Sequence, residues 1–280
     1  MHAMNRFIHA LGWRKQRDQI VGWTFITPMM VGFVLLSLGP LIFAIYISFM
    51  NWPLLGEAEW VGLKNFLELW NDAGFHNVLK NTVIFAIGLV PLNIMLALFL
   101  ALLLKNNFPG VGWFRTAVFV PVVTSLIVWS IVWKYMLAPQ TGVINQALHL
   151  IGIEGPNWLY NEKYAMPAVI VISVIKNVGL NMILFLTALQ QVPQNLYEAA
   201  ELDGATRLQR LINITVPLIT PTIFLTAVTT TIGAMKVFGQ VYVMTRGGPA
   251  NSTKVIVYAI WETAFKQYEM GYAAAMSYCL

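Results

Sequence analysis

Charge is what this sequence lacks. Only 10% of its 280 residues are Asp, Glu, Lys or Arg, where soluble globular chains carry about 25%. So little charge cannot face water over a whole surface, and with 58% hydrophobic residues the solvent for most of the chain must be lipid. Cysteine is nearly absent: Cys279 stands alone, which excludes an internal disulfide and a cysteine-based metal site. The histidines (His2, His9, His76 and His149) are scattered. No HExxH, GxSxG or CxxC spacing occurs, so no catalytic residue and no metal ligand is expected. The net charge of +5 comes without a basic cluster interleaved with aromatics, so nucleic acid is not an expected partner. The stretch "GGPANSTK" (Gly247–Lys254) lacks the Gly-Lys-Ser/Thr order of a phosphate loop and reads as a turn.

Long apolar runs fill the space that charge leaves. Crossing the hydrocarbon takes about 20 mostly apolar residues, and runs near Ile20–Met50, Val78–Leu104, Phe114–Leu137, Tyr164–Leu189 and Pro217–Thr245 are long enough. A sixth begins near Met270 and is cut short at Leu280. The expected class is therefore an all-α membrane protein with about six spanning helices, in one transmembrane domain over 20–280 after a segment 1–19. Arg6, Arg14, Lys15 and Arg17 precede the first run, the footprint of a cytoplasmic N-terminus. On that orientation Asn51–Asn77, Ala138–Lys163 and Arg246–Glu269 are outer loops, while Lys105–Trp113 and Gln190–Val216 face the cytoplasm.

The second inner loop is polar yet built for order. Within "LYEAAELDGATRLQRL" (Leu196–Leu211), Asn195 and Glu198 have the spacing of a capping box, and Thr206 and Gln209 repeat it. Gly204 is placed to end the first helix in the left-handed conformation. Pro217 suits the first turn of the fifth span. The expectation is a helix–turn–helix elbow over 195–216. Ala199, Ala200, Gly204 and Ala205 allow close approach of another surface, and Leu196, Leu202 and Leu208 offer apolar anchors. The residues alone leave two readings: a docking knob, or a connector lying on the membrane surface.

The elbow resembles the EAA loop of binding-protein-dependent ABC transporter permeases. That pattern is Glu-Ala-Ala, three residues, Gly, nine residues, Ile, any residue, Leu, Pro. Here Glu198, Ala199, Ala200, Gly204, Ile214 and Pro217 match it, with Val216 in place of Leu. Further stretches, "WVGLKNF" (Trp60–Phe66), "RTAVFVPVVTS" (Arg115–Ser125), "KNVGLNMILFLTALQQVP" (Lys176–Pro193) and "KVFGQVYVMTRGGP" (Lys236–Pro249), are similar to the carbohydrate-uptake branch. They look like the F-type subunit of maltose systems or the A-type subunit of glycerol-phosphate systems. The resemblance implies the type I ABC importer permease fold in a bacterial or archaeal cytoplasmic membrane. It implies as partners a second, related permease, a dimer of ATPase subunits and an extracytoplasmic solute-binding protein. It also implies a sugar-type substrate. ATP and Mg would be bound by the ATPase, leaving this chain without a cofactor. The elbow would be the coupling helix, with Glu198, Ala199, Ala200, Asp203, Gly204 and Ala205 as its contact residues.

Two lysines fall inside apolar runs. A Lys at the bilayer centre costs about 2.5–3.5 kcal/mol unless it faces a cavity or a partner. One reading makes Lys176, Asn177, Asn181, Lys236 and Gln240 a substrate pathway; the other is packing, with the lysines paired to backbone carbonyls or to the other permease. A rival function is an ion- or proton-driven secondary transporter. That class uses intramembrane acids, and here the acids fall in loops. A membrane scaffold would need no polar residues within its spans.

Overall fold

The computed structural model describes residues 19–53, 56–106 and 108–280. The basic residues of the N-terminal segment lie outside these. Backbone contacts divide the chain into two units, one comprising the residues through Trp70 with Thr263–Cys279 and the other Asn71–Glu262.

The smaller unit includes helix α1 (Gln19–Ser48), whose most apolar stretch buries nothing among the described residues. Phe25 and Leu36 are each 80% exposed, as a helix facing lipid requires. A π-turn at Val34–Leu38 precedes Pro40; the widened turn accommodates a ring that would strike the carbonyl four residues back. Strands β1 (Met50–Asn51) and β2 (Glu59–Trp60) pair antiparallel and lead to helix α2 (Lys64–Asn71). Asn65 Nδ2 donates to the carbonyls of Ser48 and Met50, both at 2.9 Å, closing the end of α1. The short final helix of the chain (Met270–Tyr278) returns to pack on α1, where Gly271 lies against the Met50 carbonyl so closely that no Cβ fits.

The larger unit is organised around two long helices, α3 (Ala73–Leu104) and, later in the chain, Glu162–Gln190. On α3 the buried positions recur every three or four residues, from Val78 through Thr82, Phe85, Leu89, Asn93, Ala97 and Ala101 to Leu104, a stripe turned chiefly to one neighbour. That neighbour buries 67% of its most apolar stretch and supplies Val169, Val174, Val178, Met182, Phe185 and Leu189 to the shared core.

The third apolar run is not one helix. It forms α4 (Val111–Val123) and α5 (Leu126–Met136), bent by 102°, which corrects the expected unbroken span Phe114–Leu137. Pro121 sits in the last turn of α4, and Thr124 and Ser125 are extended, with ψ of 141° and 133°. Helix α6 (Val143–Leu150) follows, then the long central helix α7 (Glu162–Gln190). The next two helices are α8 (Gln194–Leu202) and α9 (Arg207–Met235). The fifth span thus ends at Met235, short of the expected Thr245, and a separate helix α10 (Gly239–Met244) follows. Lys236 is the residue after α9, beyond the helix rather than within its outer half. Helix α11 (Ile256–Phe265) leads to the final helix, α12 (Met270–Tyr278).

Gly179 shows how tightly α4 and α7 meet: a Cβ there would collide with the Val118 carbonyl oxygen. Gly112, at the start of α4, has nothing within 4 Å of such a Cβ. Gly179→Ala should therefore cost about 1–3 kcal/mol by overpacking, although alanine is the better helix former. Thermal unfolding in detergent should show a lowered midpoint for Gly179→Ala and an unchanged or raised one for Gly112→Ala.

Candidate functional site

The elbow is closed by its own hydrogen bonds. Helix α8 begins at Gln194 with Pro193 before it and no side-chain cap. This corrects the expected Asn195 cap with Glu198 reaching back: the fixed φ of proline starts the turn earlier, and the Pro193 carbonyl accepts from Leu196 N–H at 3.3 Å. The other end is as expected. Gly204 has φ +74°, its N–H donates to Glu201 O at 3.1 Å, and Ala205 N–H donates to Ala200 O at 2.8 Å, together the complete Schellman pattern. Thr206 and Gln209 form the capping box: Thr206 N–H donates to Gln209 Oε1 at 2.7 Å and Gln209 N–H to Thr206 Oγ1 at 3.3 Å. Arg210 and Glu201 pair at 2.8 Å across the turn.

The second arm does not stop at Pro217. It runs on from Arg207 through a π-turn at Leu211–Thr215 into the rest of α9, correcting the expected separate helix. As in α1, the widened turn lies just before a proline, and the same ring clash explains it.

The surface this turn offers is open. Glu198, Ala199, Asp203 and Gly204 are exposed, with Ala200 and Ala205 half-buried. Leu202 is 91% exposed, far more than a residue folded into its own chain. Glycine at 204 is required by the positive φ and not by crowding, since a Cβ would meet nothing within 4 Å.

Deeper in the same unit lies a cavity of about 840 Å³, lined by Asn177, Asn181, Thr229, Thr230, Lys236 and Gln240 among apolar walls that include Phe85, Leu126, Phe238 and Tyr242. The fold thus brings together four of the five residues expected on a pathway. Asn181 is held, its Nδ2 donating to Asn93 Oδ1 at 2.6 Å and to Thr230 Oγ1 at 3.0 Å, so α3, α7 and α9 share one buried polar knot. Lys236 is exposed in the cavity wall.

Lys176 does not line the cavity. It is 5% exposed, and its ammonium donates to the carbonyls of Pro121, Val122 and Thr124 at 2.5, 3.0 and 2.8 Å. These carbonyls lie where α4 breaks, that of Pro121 also accepting from Thr124 N–H at 3.2 Å, and the lysine charge suits the negative end of that helix. Reading the residues alone did not single out Thr230, Phe238 or Tyr242; the run Thr229–Thr231 inside an apolar helix was the available signal.

Lys176→Met should take the lysine donor from the Val122 and Thr124 carbonyls and lower the folded yield and the melting midpoint in detergent, with Lys176→Arg restoring most of both. A Met variant as stable as the parent would contradict this assignment.

Residues 93–280 match the family described as binding-protein-dependent transport system inner membrane component. The chain is 36% identical over 272 residues to the lactose transport system permease protein LacF of Rhizobium radiobacter, covering 95% of this chain and 91% of that protein. It is 34% identical over 266 residues to the probable ABC transporter permease protein YurN of Bacillus subtilis, covering 93% and 91%. The arabinooligosaccharides transport system permease protein AraP of Halalkalibacterium halodurans is 35% identical over 267 residues, covering 94% and 84%. Among solved structures, a bacterial ABC transporter involved in the import of the acidic polysaccharide alginate superposes with a TM-score of 0.84 at 24% identity, over 95% of this chain and 92% of that one.

Proposed function

The chain belongs to the binding-protein-dependent transport system inner membrane components, and from that premise we propose how its two sites divide the work. It is a multi-pass permease subunit with no cofactor of its own, and ATP is hydrolysed on separate subunits. The ion-driven alternative draws no support from this family. Its partners are a second permease, an ATPase dimer that binds ATP and Mg, and a solute-binding protein outside. The relatives named for lactose and for arabinooligosaccharides favour a sugar or oligosaccharide as substrate. Basic residues before α1 favour a cytoplasmic N-terminus, which puts the elbow on the ATPase side.

One observation carries the coupling role: the turn between the elbow's two arms is closed by its own hydrogen bonds, yet the elbow presents Leu202, Glu198 and Ala199 outward. A rigid, exposed turn with an apolar tip and unpaired carboxylates is suited to sit in a groove of another protein. Glu198, Ala199, Ala200, Asp203, Gly204 and Ala205 would form that contact. Asn177, Asn181, Lys236 and Gln240 would contact the passing sugar, whose hydroxyls suit amide and ammonium groups. Lys176 would act from behind the wall, by holding the break in α4.

The test is to tag the chain, solubilise native membranes gently and identify what accompanies it. A second permease and an ATPase subunit are expected, and Gly204→Leu, strained by about 1–2 kcal/mol at its positive φ, should lose the ATPase while remaining in the membrane. Recovery of the chain alone, or normal uptake by Gly204→Leu, would contradict the reading. For the cavity, Lys236→Met should raise the half-saturating substrate concentration about ten-fold, the value of one charge-assisted hydrogen bond, measured by uptake into proteoliposomes.

A further inference from the structure

The elbow is joined to the cavity-lining helix by one side chain, Tyr197. Its ring lies under the Lys105 ammonium, 4.4 Å from the ring centroid, just past the end of α3. Its hydroxyl is 2.8 Å from Thr215 Oγ1, and Thr215, 3% exposed, closes the π-turn of α9. Thr215 Oγ1 also lies 3.3 Å from the Arg210 carbonyl, and either hydroxyl can donate across the Tyr197–Thr215 contact. One half-buried tyrosine therefore touches the first elbow helix, the inner end of one spanning helix and the widened turn of another.

The π-turn is the weak point of α9. A turn with five-residue spacing is less regular than the helix on either side, and such turns concentrate at functional positions. Left alone it would absorb a push on the elbow by bending. Beyond it α9 runs as one helix to Thr229 and Thr230 in the cavity wall, about 22 Å away at 1.5 Å per residue. A hydrogen bond pinning the turn to the elbow's other arm makes the elbow, the turn and the span move together.

We propose that Tyr197 is a positioning residue that transmits movement of the elbow to the cavity through its hydrogen bond to Thr215. This rests on the coupling role proposed above. Tyr197→Phe keeps the ring under Lys105 and removes only one hydroxyl of the bond; Thr215→Val keeps the shape and removes only the other.

The experiment uses the assembled complex in proteoliposomes, with Cys279→Ser to clear the background and Thr229→Cys as a reporter in the cavity wall. A maleimide probe measures alkylation of the reporter with and without ATP and vanadate, while ATP hydrolysis is followed in parallel. The reporter parent should change its alkylation rate by at least about five-fold, the lower range of site-to-site coupling. Tyr197→Phe and Thr215→Val should each lose most of that response while the complex stays assembled and still hydrolyses ATP. The double variant should be no worse than either single, as expected of two ends of one bond. Variants that respond like the parent, or losses that add, would overturn the latch and leave the coupling role standing. A reporter parent that responds to ATP not at all would overturn both.

Discussion

In hydrocarbon an unpaired backbone carbonyl has no water to turn to, and every helix that stops inside the membrane exposes several. The break after α4 lies within an apolar run, and basic side chains serve this and other helix ends of the larger unit. Lys176 takes the carbonyls at the break after α4, Arg115 donates to Leu104 O at 2.6 Å at the end of α3, and Lys134 donates to Val243 O at 3.2 Å near the end of α10. A cation suits each place twice, as donor and as charge at the negative end of a helix. The cavity depends on this arrangement. Its walls include Ser125 and Leu126 from one side of the α4–α5 break and Phe238 and Gln240 from the other interrupted segment, and continuous helices would not place these residues there.

Much of this was legible beforehand, and the misses have physical causes. The runs near Ile20–Met50, Val78–Leu104 and Tyr164–Leu189 were read correctly because burial in lipid demands them. The Thr206 cap and the Gly204 terminator were read correctly because each is a local pattern needing only its neighbours. The break at Thr124 was hidden, since a single proline is tolerated within spanning helices and "VVTSL" stays apolar on both sides. The end of α9 was hidden for the same reason: "KVFGQVYVM" remains apolar enough to continue a span. For Lys176, composition required a partner and left two kinds open; only the fold chose carbonyls. Tyr197 carried no signal, because Lys105 and Thr215 reach it from distant parts of the chain.

Helix α9 runs unbroken from the elbow to the cavity wall, which gives the proposed coupling one continuous element to act through. The capping box at Thr206 starts α9, the helix passes the π-turn, and its other end contributes Thr229, Thr230 and, just beyond it, Lys236 to the cavity. A force on the exposed turn at Gly204 enters this helix at its first residue. The Asn93–Asn181–Thr230 knot ties the far end to α3 and α7, so in the proposed mechanism a displacement of α9 would reach the cavity.

The claim on which the account turns is that the exposed turn seats in the ATPase. Site-directed cross-linking tests it most directly: Ala199→Cys in a Cys279→Ser background, treated with a short bifunctional reagent in membranes from cells making the whole transporter. The account predicts a product joining this chain to the ATPase subunit, with a yield that changes on adding ATP. Cross-links confined to this chain, with none to the ATPase in any nucleotide state, would contradict it.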